Sequence, residues 1–314
     1  MRYLILTAAA ALAFAPAVSA DFTLDDNGKA LTVLENGTPV LTYNYAMVDP
    51  PEYAPDRYRR ACYVHPLYGL DGEMMTQDFP LDHFHHRGVF WAWPKTTVGD
   101  RPADVWTIVD IRQVHDKWVE KTAGADRAII AVENVWQYED EPENPPVREA
   151  VRFVVHPAGE IGRAIDYTLT LTNISDEVVT IRGQSTKNKG YGGFCVRPDA
   201  MRKPLQFTSA LGKLDEDKLR MESPWADCSF ATEKGGDELS GFAIFQHPDN
   251  PGYPHPGWIT RAYGFLGCSW PHTEPHPLKP GESVTLKYRL YVHRGDAEAG
   301  KVLTRFEAFV KAAP

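Results

Sequence analysis

The chain has 314 residues, 43% of them hydrophobic, and a formal charge of −9 at pH 7. That apolar share supports a sizeable globular core, and an acidic chain with no basic stripe has nothing to neutralise phosphates, which excludes a nucleic-acid partner. Beyond residue 20 no stretch approaches the ~18 apolar residues of a membrane span, so none is expected.

In chain order, residues 1–20 read as a signal peptide. Arg2 gives the positive start, residues 4–14 form an apolar run too short for a bilayer, and Val18-Ser19-Ala20 ends it with small residues. Cleavage before Asp21 is expected, leaving residues 21–314 as one domain in the periplasm or outside the cell. Residues 30–34 and 39–43 flank Asn36-Gly37, a hairpin signal. Residues 50–66 form a Pro- and Tyr-rich loop. Residues 128–136, 147–156, 164–173, 178–182, 241–246, 258–264 and 283–293 read as strands, with period-two patterning in Ile165, Tyr167, Leu169 and Leu171. The single helix is expected from near Asp296 to near Lys311, with Val302, Phe306, Phe309 and Val310 on one face. Strands recurring without intervening helices predict a mostly β protein, an antiparallel β-sandwich with a C-terminal helix. Cys62, Cys195, Cys228 and Cys268 are widely spaced with no CxxC pattern, which argues against a zinc knot; isolated buried thiols and one disulfide both stay open.

Three segments carry the chemistry. The first is His65, followed by Asp82, His83, His85, His86 and Arg87, which run into Phe90, Trp91 and Trp93. Imidazoles titrate near neutral pH and bind metals, and the aromatics offer a flat ligand a stacking surface. If residues 83–93 are extended, His83, His85 and Arg87 share one face and Phe84, His86 and Phe90 the other. Gly88 then allows a bend or a close ligand approach. Imidazole and carboxylate suit divalent ions, but adjacent His85 and His86 would point oppositely and no HxxxH or HExxH spacing occurs. No metal ligand is therefore assigned and no cofactor is expected, with a divalent ion kept as the alternative. The second segment is residues 186–194, where Lys187 is placed to neutralise a carboxylate or an oxyanion and glycines let the backbone approach a ligand. The third is His247, Asp249 and Asn250 around two prolines, followed by Arg261, which suits a bidentate carboxylate clamp.

Taken together, His65-Pro66-Leu67-Tyr68-Gly69, Asp82-His83 with His85-His86-Arg87-Gly88 and Trp91-Ala92-Trp93, Gly190-Tyr191-Gly192-Gly193, and His247-Pro248-Asp249-Asn250-Pro251 with Trp258 and Arg261 resemble the bacterial family labelled methane oxygenase PmoA-like. Leu278-Lys279-Pro280-Gly281 and residues 288–293 fit it too, so the resemblance covers nearly all of residues 21–314. In many members position 84 looks like proline and position 246 like aspartate, where this chain has Phe84 and Gln246. A membrane monooxygenase subunit needs several spanning helices, which this chain lacks. What the resemblance implies is a secreted β-sandwich protein associated with polysaccharide use. Residues 168–176 are also similar to the strand-plus-turn of galactose mutarotase-like supersandwiches, a fold that hosts epimerases, lyases and hydrolases of sugars.

The expectation is a periplasmic carbohydrate-active enzyme that cleaves a glycoside or oligosaccharide, as hydrolase or lyase, by histidine acid/base chemistry. His85 or His86 would be acid or base, Asp82 would orient an imidazole, and His247 would join them. Arg87, Lys187 and Arg261 would take a carboxylate, which points to a uronate-containing substrate. His65, Trp91, Trp93, Asn188, Tyr191 and Asn250 would complete the binding set, all facing one cleft. The alternatives are a mutarotase-like sugar epimerase and a non-catalytic sugar-binding envelope protein.

Overall fold

The computed structural model describes residues 21–199, 204–231 and 238–312, and the expected signal peptide lies outside the described residues. Local chemistry sets the first hairpin. Strands Ala30–Glu35 and Thr38–Asn44 are joined by Asn36 at φ 51° and Gly37 at φ 78°, the two left-handed positions of a type I′ turn.

Two large sheets follow from the period-two strands. One has eight strands in the spatial order Phe22–Asp26, Ala30–Glu35, Thr38–Asn44, Tyr63–Leu67, Val89–Ala92, Gly193–Val196, Phe265–Cys268, Trp258–Arg261. The other has nine, in the order Gly212–Leu214, Leu205–Ser209, Trp225–Ala231, Leu239–Gln246, Ser283–Arg294, Gly162–Asn173, Val147–Val155, Ala128–Tyr138, Ile111–Ala123. A small third sheet joins His276–Leu278, Val179–Ile181, Thr96–Val98 and Arg101–Ala103. Every strand pairing among the described residues is antiparallel.

The two large sheets pack face to face, as expected of a sandwich. Tyr43 of one meets Phe153 of the other at 5.5 Å between ring centroids, and Phe194 stacks on Tyr288 at 4.9 Å. All four cysteines are buried and none is in a disulfide, which answers the open disulfide question in favour of buried core thiols. The helix is shorter than expected, Val302–Ala312. Asp296 instead caps a turn, accepting from the N–H groups of Glu298 and Ala299, and Lys301 at φ 53° breaks the backbone before the helix starts. Its buried face, Val302, Phe306 and Phe309, covers Trp225, Phe245 and Tyr291 of the nine-stranded sheet.

The longest strand, Ile111–Ala123, was not expected from sequence. Its pairing shifts register between His115 and Lys117 and again between Trp118 and Glu120. Two such irregularities destroy the alternation that betrays a strand.

Candidate functional site

The histidine segment is not extended as expected; the strand there is only Val89–Ala92. Residues before it turn, with the His83 N–H donating to the Pro80 carbonyl at 3.0 Å and the His86 N–H to the His83 carbonyl at 2.9 Å. The turn folds three imidazoles onto each other instead of splitting them between two faces. His83 and His86 stack at 4.6 Å between centroids, and His85 meets His86 edge-on at 4.5 Å. Gly88 does permit a close approach, but to protein: a Cβ there would sit 2.3 Å from the Val64 carbonyl.

Two buried arginines hold this turn. Arg87 donates to the carbonyls of Phe84 at 2.6 Å and His86 at 2.8 Å, and to that of Tyr58, while lying over the Phe79 ring. Arg60 donates to the carbonyls of His85 at 3.3 Å and Val105 at 3.2 Å, and to Gln113 Oε1 at 2.9 Å. Gln113 in turn donates to Glu149, a fully buried carboxylate that also accepts from Asn134 and Trp136. Burial pushes the Arg60 guanidinium down to about 10, so it stays charged at neutral pH. Arg60 Nε and Arg87 Nε have no hydrogen-bond partner, but the bonds to the carbonyls of Phe84, His85 and His86 hold the loop in one geometry.

A third arginine organises the reactive edge. Arg197 donates to Asp82 Oδ1 at 2.8 Å and, at 3.4 Å, to His86 Nδ1. A guanidinium only donates, so His86 carries its proton on Nε2. The other oxygen of Asp82 lies 3.0 Å from His83 Nδ1, close but off the line of a hydrogen bond. Burial acts to raise the Asp82 carboxyl; the contact with His83 and the charge of Arg197 outweigh it and hold Asp82 below its usual range. Burial first, then the neighbouring positive groups His83, Arg60, Arg87 and Arg197, pushes His85 down to about 3. Burial and the other two histidines hold His86 well below the ordinary value. Both are therefore neutral at pH 7.

The histidines line a cavity of about 280 Å³. Trp106, Tyr191 and Tyr263 give it aromatic walls, and Tyr263 stacks on His83 at 4.7 Å. Lys189 and Arg261 bring positive charge, and Asp104 and Gln184 add polar groups. Arg261 lies 3.4 Å from Asp217, while its Nε has no hydrogen-bond partner. Burial, then Tyr191, pushes the Tyr263 phenol up, so it stays protonated. Among the described residues no group of three or more His, Cys, Asp and Glu side chains is arranged to hold a metal ion.

Of the residues expected at the site, His85, His86, Tyr191 and Arg261 meet at this cavity, and Asp82 stands behind it on Arg197. The others do not join them. Arg87 is spent on backbone carbonyls, and Trp91 and Trp93 are fully buried, Trp93 donating to the Trp270 carbonyl at 2.7 Å. His65 bonds Thr76 at 3.0 Å and lines no part of this cavity. His247 lines a different cavity beside Phe309, and Asn250 clamps the backbone of Lys287. Lys187 and Asn188 are exposed left-handed residues on a one-turn helix, and the neighbouring Lys189 lines the cavity in their place. Gly190 and Gly193 approach protein, not ligand: a Cβ there would strike His272 at 1.9 Å and the Cys268 carbonyl at 2.5 Å.

Sequence reasoning missed Arg197, Trp106 and Tyr263, and put His83 behind its neighbours. A signal existed for Arg197, a charge directly after the fully buried strand Gly193–Val196. Trp106 and Tyr263 sit in loops whose direction no periodicity discloses.

Residues 30–307 match the profile of a family of unknown function, DUF6807. No curated protein matches the chain. Among solved structures, the chain is similar to a heparan sulfate lyase of Pedobacter heparinus at 9% identity and TM-score 0.38, covering 90% of this chain and 36% of the lyase. It is similar to an α-galactosidase of Geobacillus stearothermophilus at 11% identity and TM-score 0.38, covering 88% of this chain and 40% of that one. A galactose 1-epimerase of Lactobacillus acidophilus is similar over its whole length and 89% of this chain, at 10% identity and TM-score 0.39. The chain thus spans well under half of the lyase and of the galactosidase, and likenesses at these scores carry nothing about the reaction.

Proposed function

The chain belongs to the DUF6807 family, whose function is unknown, and we propose that it is a carbohydrate-active enzyme acting on a uronate-containing oligosaccharide, with His83 as the proton-transferring group. The observation that carries this is the chain Arg197–Asp82–His83 at the edge of an aromatic-walled cavity. Of the three imidazoles, only His83 has a carboxylate against one nitrogen; a carboxylate beside one imidazole nitrogen favours proton transfer at the other.

The reaction this set suits best is elimination. Asp104 is the only carboxylate among the cavity's lining residues, and both its oxygens are engaged, by the Trp106 and Thr107 N–H groups and the Thr107 hydroxyl. A two-carboxylate glycosidase needs a second, free one across the scissile bond. Elimination needs different parts. His83 would take the proton on the carbon next to the uronate carboxylate. Arg261 and Lys189 would neutralise that carboxylate as negative charge develops on it. The bond to the glycosidic oxygen then breaks, a carbon–carbon double bond forms, and the leaving oxygen takes a proton from Tyr263 or Tyr191.

Export to the periplasm or medium is part of this reading, and N-terminal sequencing of the mature protein checks it. The substrate class is tested by comparing a uronate oligosaccharide with its neutral counterpart at low and high ionic strength. Preference for the acidic one, weakening with salt, is expected. Equal affinity at both salts would sink the uronate assignment and leave a neutral sugar stacked on the aromatics.

A further inference from the structure

We propose that the histidine cavity is one end of a longer groove, and that the adjoining cavity holds further residues of an oligosaccharide chain without taking part in the reaction. The proposal rests on the reading above and narrows it: the substrate is oligomeric. The two cavities share Pro94 and Asp104 in their walls, so they abut. The adjoining one is larger, about 640 Å³ against about 280 Å³, and no histidine lines it. Small-molecule sites run to ~300–1,000 Å³, so a ligand that fits the histidine cavity leaves most of the groove unfilled.

Its walls carry binding features of their own. Thr96 lines it at 1% exposure, and its hydroxyl has no hydrogen-bond partner. Arg101 sits over Tyr138, 3.5 Å from the ring centroid, and is ion-paired with Asp140 and Glu141. This places a polar-rimmed aromatic surface in the wall of the larger cavity.

One loop serves both cavities. Asp104, Trp106 and Thr107 face the histidines, while Val109 and Asp110 face the larger space. The loop is strained: Ile108 stands at φ 58° and Asp110 at φ 60°. For a β-branched residue that conformation is an outlier. It is held by the Asp104 carboxylate, bonded to the N–H groups of Trp106 at 3.0 Å and Thr107 at 2.8 Å, and by the burial of Ile108 at 2%. The same bend leaves Val109 43% exposed in the groove, an apolar surface of the kind a sugar-ring face packs against.

The test uses di- and tetrasaccharides of galacturonate, glucuronate and mannuronate, titrated calorimetrically into the full-length protein. Val109→Trp fills the larger cavity from the loop, and Lys95→Trp, also at an exposed lining residue, fills it from a different segment. The tetrasaccharide of the preferred sugar should bind about tenfold more tightly than its disaccharide. Each variant should abolish that gain, leave disaccharide affinity unchanged and keep the thermal midpoint. Equal affinity for the two lengths in the wild type, or a gain that survives in both folded variants, overturns the groove and leaves the histidine site standing. No binding of any oligomer at either length overturns the site reading, and the groove with it.

Discussion

The His83 ring lies flat against that of His86, with centroids 4.6 Å apart and planes within 3°. Two imidazolium ions cannot stack this way without strong repulsion, and burial already keeps His86 neutral. On the proposed reading the pair divides labour: His86 packs and is hydrogen-bonded to Arg197, and His83 transfers the proton.

That division predicts opposite outcomes for the two residues. His83→Ala should lose about 10²–10⁴ in turnover while keeping the fold, as removal of a general acid or base does. His86→Ala should act through stability, costing the few kcal/mol typical of a buried, hydrogen-bonded group and so lowering the thermal midpoint. Turnover and midpoint of both variants decide it. Full turnover in His83→Ala would move the chemistry to another residue.

Arg197 should behave as a positioning residue. Arg197→Lys keeps the charge but cannot bond Asp82 and His86 at once, because lysine lacks the planar fork. Arg197→Met should cost about 1.5–3 kcal/mol, the range for hydrogen bonds to charged groups. In Arg197→Lys the pH profile of turnover should shift while the substrate KM changes little. An unchanged profile would mean that Arg197 only fills space.

Much of the fold was legible and much of the site was not, for the same physical reason. Strands such as Gly162–Asn173 announce themselves because one face is buried and side chains alternate. The mutual approach of His83, His85 and His86 depends on a turn held by Arg87 and Arg60, whose partners are backbone carbonyls with no sequence signature. Arg87, read as a substrate clamp, and Trp93, read as a stacking surface, failed alike: composition shows a cation or a ring, and only packing shows that the protein itself already uses it. His247 and Arg261 lie fourteen positions apart in sequence yet line different cavities, since the chain between them crosses from one large sheet to the other.

The buried carboxylate beneath the site gives a stability prediction. Glu149→Ala would leave the donors of Gln113, Asn134 and Trp136 without an acceptor, and the charge of Arg60 without its nearest network. A loss of about 3–5 kcal/mol is expected, the range for breaking a buried charged network. Denaturant midpoints measure it. A loss below about 1 kcal/mol would show that the network contributes no more than an exposed ion pair.

Acid should weaken the fold through the neutral histidines. His85 is held at about 3 against 6.5 unfolded, and His255 at about 4, in both cases chiefly by burial. Between these values and 6.5 the unfolded chain binds more protons, so stability is lost as pH falls from about 6.5 toward 3. His293 runs the other way. The charge and hydrogen bond of Asp227 outweigh burial and raise it, so its contribution is full below 6.5 and is lost as pH rises through the raised value. His85→Gln should flatten the acid limb of the midpoint-against-pH curve. An acid limb parallel to that of the wild type would contradict the assignment.

The central claim is proton transfer by His83 leading to elimination, and the mass balance of the products tests it most directly. Purified protein is incubated with its preferred uronate oligosaccharide, and the products are weighed by mass spectrometry while ultraviolet absorbance is followed. Two fragments whose masses sum to that of the substrate, one bearing a conjugated double bond and absorbing in the ultraviolet, are predicted, with both signals absent in His83→Ala. Fragments that sum to substrate plus one water would mean hydrolysis, and a product of unchanged mass would mean epimerisation; either result contradicts the account.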